Sequence, residues 1–226
     1  MTGAQDSELI KRLRRLDACA ISDALDMLGH RGAALGLSAL TTNRRIGGRA
    51  VTVQLGPADG RSSRRHLGTE AVDASDSECV LVIAHRGRTD VSGWGGLLSA
   101  GATQRGIAGV IVDGACRDID ESREMGLPIF ARCTVPVTAR GRIIEYDWNV
   151  PVEIAGIGVA PGDLVIADGS GVVFVPRERA AEVIALAETI AAKEARMMAD
   201  VRAGKPVTSV MGSNYEHMLA EDEDAA

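Results

Sequence analysis

The stretch 79–132 constrains this chain more than any other part of it. Residues 79–84 (Cys-Val-Leu-Val-Ile-Ala) and 107–112 are continuous apolar runs rich in β-branched side chains, the pattern of strands buried on both faces. Between and after them, residues 96–105 and 119–125 read as helices, the second stopped at Gly126 ahead of Pro128, and residues 129–132 suit a third strand. Strand, helix, strand, helix, strand with short connections predicts parallel pairing through crossovers, and so an α/β fold with central parallel strands.

The flanking segments build outward from that centre. Apolar residues at 9, 10, 13, 16, 20, 21, 24, 25 and 28 keep a helical period from Ser7 to Gly29, with Asp17 and Ser22 as candidate breaks. Residues 46–55 alternate as a strand does, a short helix follows near 67–74, and residues 85–95 read as a loop ending in Gly93-Trp94-Gly95. Beyond Tyr146, short segments at 152–154, 157–159, 164–167 and 172–175 alternate with Pro161-Gly-Asp and Asp168-Gly-Ser-Gly turns, which predicts antiparallel C-terminal strands. Residues 177–202 predict a long C-terminal helix, and residues 221–226 (Glu-Asp-Glu-Asp-Ala-Ala) an acidic, frayed tail. No repeat or linker divides the 226 residues, so the expectation is one domain over 1–226 with N-terminal helices in 1–30.

Composition narrows the partners. A net charge of −6 disfavours a protein that grips nucleic acid by neutralising phosphates. The run Arg61-Ser-Ser-Arg-Arg65 is too short to reverse that and reads as a solvated loop or an anion contact. Cys19, Cys79, Cys116 and Cys133 form no Cys-x-x-Cys pair, no apolar run is long enough for a membrane span, and the first residues are polar, so the expectation is a reduced, cytoplasmic protein without membrane contact. There are 26 Gly but only two each of Phe, Trp and Tyr, which leaves little for stacking flat ligands and favours a small charged substrate.

Ligands of open parallel sheets bind beyond the carboxyl ends of the strands. Two segments meet that condition. Gly93-Trp-Gly-Gly-Leu-Leu98 leads into a helix whose free N–H groups and positive dipole end suit a carboxylate or phosphate, with Gly95 and Gly96 permitting close approach. Asp113-Gly-Ala-Cys-Arg-Asp118 sets Arg117 and Asp118 just before the next helix. Asp118 there is either an N-cap or a hard oxygen ligand for Mg²⁺ or Mn²⁺, and Arg117 either its surface neighbour or a clamp on an anionic substrate. Asp113 reads as a turn former or a site acid, and His66, just before a short helix, as a capping residue, a proton donor or an anion contact. Cys116 is better suited to a small buried thiol than to a nucleophile, having no histidine near it in sequence.

Gly93-Trp-Gly-Gly-Leu-Leu-Ser, the segment from Arg105 to Asp118 and Gly126-Leu-Pro-Ile-Phe130 together resemble the RraA-like family, a likeness that runs from about Ser22 to Glu194. The family includes the class II 4-hydroxy-4-methyl-2-oxoglutarate and 4-carboxy-4-hydroxy-2-oxoadipate aldolases, which also decarboxylate oxaloacetate, and RraA itself, a regulator that binds and inhibits an endoribonuclease. The resemblance implies a swivelling β/β/α domain, assembled as a homotrimer or hexamer with sites at subunit interfaces. It also implies a carboxylate-binding turn at Gly95, Gly96, Leu97 and Leu98, a catalytic and substrate-binding Arg117, a metal-binding Asp118 for Mg²⁺ or Mn²⁺, and a small 2-oxo acid as substrate. A glutamate that the family donates from a neighbouring subunit's C-terminal helix corresponds to Glu194, on a helical stripe with Val183, Ala187, Ile190, Met197 and Val201; residues 184, 187, 191 and 198 form the competing face. Where the aldolases carry an acid in the turn, this chain has Gly96, which leaves open aldol cleavage, a regulatory binding role or another enolate reaction on the same fold. No strand here leads into a Gly-rich loop suited to S-adenosylmethionine.

Overall fold

The computed structural model describes residues 3–61 and 65–212; the centre of the basic run (62–64) and the acidic tail (221–226) lie outside the described residues. In chain order the elements are α1 (Gly3–Leu13), α2 (Ala18–Met27), β1 (Ala33–Ala34), β2 (Ser38–Ala39), β3 (Ile46–Pro57), α3 (Thr69–Ala74), β4 (Cys79–Trp94), α4 (Gly96–Gln104), β5 (Gly109–Cys116), α5 (Ile119–Glu124), β6 (Ile129–Thr134), β7 (Ile143–Trp148), β8 (Val152–Ile154), β9 (Ile157–Val159), β10 (Leu164–Asp168), β11 (Gly171–Val175), α6 (Ala180–Arg202) and α7 (Val207–Val210). The N-terminal helical stretch breaks at Asp17, whose carboxylate accepts from Ala20 N at 2.8 Å as an N-cap, and continues unbroken through Ser22.

β3 organises the sheet because it is long enough to take several partners along its length. Its first residues pair antiparallel with β10, from Ile46↔Ala167 to Arg49↔Leu164. Its middle pairs parallel with β4, from Arg49↔Cys79 to Gln54↔Ala84, and its end pairs antiparallel with β7. Parallel pairing continues through β4, β5 and β6 (Val80↔Gly109, Val110↔Ile129). The full order is β1-β11-β10-β3-β4-β5-β6-β2, with β7 also on β3, and β8 and β9 form a separate antiparallel hairpin. Central parallel strands, antiparallel C-terminal strands and a long C-terminal helix are thus all present.

Both faces of the parallel strands are covered, which is why their sequences read as unbroken apolar runs. On one side Val53, Leu81, Ile83, Val110 and Val112 pack with Leu67, Val72 and Ala102 from the α3 and α4 regions. On the other, Val80, Val82 and Ile111 pack with Phe130, Phe174 and the β8–β9 residues Val152, Ile154 and Val159. A third cluster joins α1, α2 and α6 to β10 and β11 through Leu13, Ile21, Leu25, Ile166, Val175, Val183 and Ile184.

Several elements depart from the sequence reading. Residues 85–95 are not a loop: β4 continues to Trp94, pairing with β5 through register shifts at Arg88, Ser92 and Trp94, while His85 Nε2 bonds Val91 O at 2.8 Å across the excursion. Charged residues 86–90 bulge away from the core, so the segment carries no strand periodicity even though the backbone keeps pairing. β5 likewise runs on to Cys116, which makes Asp113 an interior strand residue. β7 and the two-residue strands β1 and β2 were not anticipated. The buried face of α6 is Ala180, Val183, Ile184, Ala187 and Ile190, a composite of the two candidate stripes that ends before Glu194.

β7 also braces the start of α3. Glu145 Oε2, buried, accepts from Gly68 N at 2.6 Å, where Gly68 is left-handed at φ 72°, and Arg65 lies 3.6 Å from Oε1. Burial raises the Glu145 pKa, against the opposing pull of the Gly68 N–H and Arg65. The folded state therefore holds this proton more tightly than the unfolded chain, and its stabilising contribution is complete below the ordinary glutamate range and lost as pH rises through the raised value. In thermal melts from about pH 4 to about pH 7, the melting temperature of Glu145→Gln is expected to shift upward relative to wild type; a difference independent of pH contradicts this.

Candidate functional site

β4 and β5 are adjacent and parallel, so the helices that follow them start at the same edge of the sheet. Gly95 caps α4 and Asp118 precedes α5. Backbone bonding joins the two starts, with Arg117 N donating to Trp94 O at 3.0 Å. The outcome for Asp118 differs from a simple N-cap. Its backbone is left-handed (φ 55°) and its side chain makes no capping bond to its own helix. Instead Oδ2 accepts from Gly96 N, the first residue of α4, at 3.0 Å.

Arg117 Nε donates to both Asp118 oxygens, at 3.0 and 3.1 Å. Partial burial pushes the Asp118 carboxyl up, but the Gly96 N–H and Arg117 outweigh it and hold it below its ordinary range, so it is anionic near neutrality. The terminal nitrogens of Arg117 make no hydrogen bond among the described residues, so the guanidinium retains donors for a ligand. Asp118 thereby occupies one of the N–H groups expected for a substrate carboxylate. Those of Leu97 and Leu98 lie in the same first turn, where no intrahelical acceptor exists.

The arrangement opens on a cavity of about 170 Å³ lined by His66, Gly95, Gly96, Leu97, Leu98, Arg117 and Asp118, with Thr138, Ala139 and Arg140. It is small beside the roughly 300–1,000 Å³ of pockets for drug-sized ligands. A neighbouring hollow shares His66, Ala139 and Arg140 and adds Arg61, paired with Asp59, and Arg65, paired with Glu70 and Glu145. Leu97 projects at 86% exposure beside the cavity.

The glycines answer to close contacts. A Cβ on Gly95 would lie 2.9 Å from Asp118 Oδ2, and one on Gly96 would lie 2.2 Å from Glu121 Oε2 and 3.2 Å from Asp118 Cβ. Behind them a buried chain locks the two helix starts: Trp94 Nε1 donates to Ser99 Oγ at 2.9 Å, Ser99 Oγ meets Ser122 Oγ at 2.8 Å, and Ser122 Oγ donates to Asp118 O at 3.0 Å.

Of the residues singled out in sequence, Gly95–Leu98, Arg117, Asp118 and His66 come together. Asp113 does not join them. It is buried inside β5, paired with Arg132 Nε at 2.5 Å and accepting from Ala155 N at 3.1 Å, a brace between β5, β6 and the β8–β9 hairpin. Glu194 is exposed on α6 near Asp17 and Asp23 and does not line the cavity of its own chain. Cys116 is fully buried and burial drives its thiol pKa far up, as an inert thiol requires. Thr138, Ala139 and Arg140 were missed, since no local pattern marks a loop that folds over a site formed by distant strands. Ser99, Ser122 and Glu121 were missed because each reads as an ordinary helix residue.

Among the described residues no group of three His, Cys, Asp or Glu that could hold a metal is present, and in the cavity lining Asp118 is the carboxylate, held anionic. If a cation were held there, a single carboxylate would suit Mg²⁺ or Mn²⁺ retaining several waters better than Zn²⁺, which takes a near-complete protein shell. No helix among the described residues is long and apolar enough to cross a membrane.

Comparisons with known proteins identify the family. The model of the RraA-like family, described as Aldolase/RraA, matches residues 18–174. Protein DlpA of Legionella pneumophila is 30% identical over 196 residues, covering 87% of this chain but 32% of DlpA, so the chain spans about a third of that relative. A Halalkalibacterium halodurans protein named "Putative 4-hydroxy-4-methyl-2-oxoglutarate aldolase" is 32% identical over 170 residues, 75% of this chain and 77% of that protein. The crystal structure of Streptomyces coelicolor RraAS2, described as an unusual member of the RNase ES inhibitor RraA protein family, superposes with a TM-score of 0.75 at 28% identity, covering 86% of this chain and 96% of that one. A family match across most of the chain, centred on the two segments that build the cavity, establishes that this protein belongs to the RraA-like family.

Proposed function

We propose that this chain is a divalent-cation-assisted lyase that cleaves a C–C bond of a small 2-oxo acid through a pyruvate enolate. The observation that carries the reading is the convergence of Arg117, Asp118 and the start of α4 on one small cavity, with Arg140 also in its lining. Relatives named for aldolase activity support the same class.

In this reading the substrate carboxylate sits on the N–H groups of Leu97 and Leu98, at the positive end of α4. Asp118 would hold Mg²⁺ or Mn²⁺, which when bound would supply Lewis-acid polarisation of the 2-oxo group. Arg117, oriented by its bonds to Asp118, directs its terminal nitrogens at the oxygen where negative charge develops as the C–C bond breaks. Loss of CO₂ from oxaloacetate and retro-aldol cleavage leave the same enolate, so one arrangement serves both. His66, exposed at the rim, delivers the proton that converts enolate to pyruvate. The homotrimer or hexamer, the interface location of the site, the contribution of Glu194 from a neighbouring copy and the cytoplasmic setting belong to this proposal.

Pyruvate release from oxaloacetate is expected to exceed background with Mg²⁺ or Mn²⁺ and to fall to background with EDTA; a rate indifferent to the chelator overturns the proposal. Arg117→Ala and Asp118→Ala are each expected to lower kcat/KM by about 10²–10³-fold. Because the Arg117 side chain is partly exposed, the melting temperature of Arg117→Ala should stay close to wild type, whereas Asp118→Ala, which places alanine at φ 55° and removes the bond to Gly96 N, should melt lower. A second reading, a binding module of the ribonuclease-regulator kind, is favoured by the likeness to RraAS2. It is distinguished by capture of an RNA-degradation complex that persists in Arg117→Ala while oxaloacetate turnover is absent from wild type.

A further inference from the structure

Glu121 is a carboxylate that the reading above does not use. It lies in the first turn of α5, three residues after Asp118, and its Oε2 reaches across to α4, where it fills the volume that a side chain at position 96 would take. Asp118 Cβ borders the same volume at 3.2 Å. Two acids, Asp118 just before α5 and Glu121 within it, therefore flank the first residue of α4, and Glu121 Oε2 takes its place there because Gly96 has no Cβ.

Charge balance gives this placement a consequence. The negative charge of Asp118 is already matched by Arg117, and Arg123, the cation on α5 itself, pairs with Asp120. A divalent ion on Asp118 would bring two further positive charges into a rim that already holds Arg117 and Arg140. Within one chain Asp118 alone does not offset that total, and a cation that keeps its waters needs acceptors for their hydrogens.

We propose that Glu121 is the second carboxylate of the cation site, positioned over the α4 start by Gly96 to accept hydrogen bonds from the waters of an ion held on Asp118. It acts through those waters and is a positioning residue. The proposal rests on the cation-assisted reading above.

The test is Mn²⁺ titration of the 226-residue chain by calorimetry, with melting temperatures in parallel. Wild type is expected to bind, Asp118→Asn to lose binding, and Glu121→Gln to bind about tenfold more weakly at an unchanged melting temperature. Gly96→Asp combined with Glu121→Ala returns a carboxylate from the α4 side into the vacated space and is expected to recover most of the loss. If Glu121→Gln binds as wild type does, or if the double variant recovers nothing, the role of Glu121 is overturned while the proposed function stands. If wild type binds no more tightly than Asp118→Asn, both fall.

Discussion

The bond from Gly96 N to the Asp118 carboxylate is the interaction on which the rest of the site depends. It crosses from the helix after β4 to the helix after β5, and it takes an acid away from capping its own helix to serve its neighbour. With the Arg117 N to Trp94 O bond and the Ser99–Ser122 contact, it holds the two helix starts as one unit. Its geometry favours glycine at 95, where a Cβ would meet the Asp118 carboxylate itself, while at 96 a Cβ would meet Glu121 Oε2 instead.

That unit rests on the sheet beneath it. Parallel pairing of β4 with β5 brings both helix starts to one edge, and burial on both faces fixes the register through Val80, Leu81, Val82 and Ile83. The antiparallel partners of β3 do a different job. β10 carries the sheet toward the helical cluster, while β7 sends Glu145 under α3 and so sets the segment that presents His66. Arginines from three separate segments, Arg61 and Arg65 from one loop, Arg117 after β5 and Arg140 after β6, thus gather around two adjoining hollows of an acidic chain, with Arg61, Arg65 and Arg117 paired to carboxylates there.

Much of the fold was legible in sequence, since the clearest signals arise where burial is complete. The runs at 79–84 and 107–112, the helix starts at Gly96 and Ile119, and the Asp17 break each follow from a local rule of periodicity or capping. β7 and the second half of β4 were not legible. Residues 143–148 and 85–94 carry exposed polar side chains, and their pairing is decided by neighbours far away in sequence. The site divides in the same way. Arg117, Asp118 and the glycine turn stand out by residue type and position before a helix, and His66 by its place before α3. Arg140 and Glu121 carry no such mark, for their relevance comes from where the chain returns.

By itself, the sequence determined a parallel α/β core and the two segments that bring a glycine-led helix start and an Arg-Asp pair to the same sheet edge. Backbone periodicity and hydrophobic burial are local enough to read from one chain. The tertiary structure alone decided which carboxylate meets which N–H. It turned Asp118 toward α4, withdrew Asp113 into an ion pair with Arg132, and set Glu121 in the space left by Gly96. These are contacts between side chains and distant backbone at spacings of a few ångströms, and only the packed geometry fixes distances of that kind.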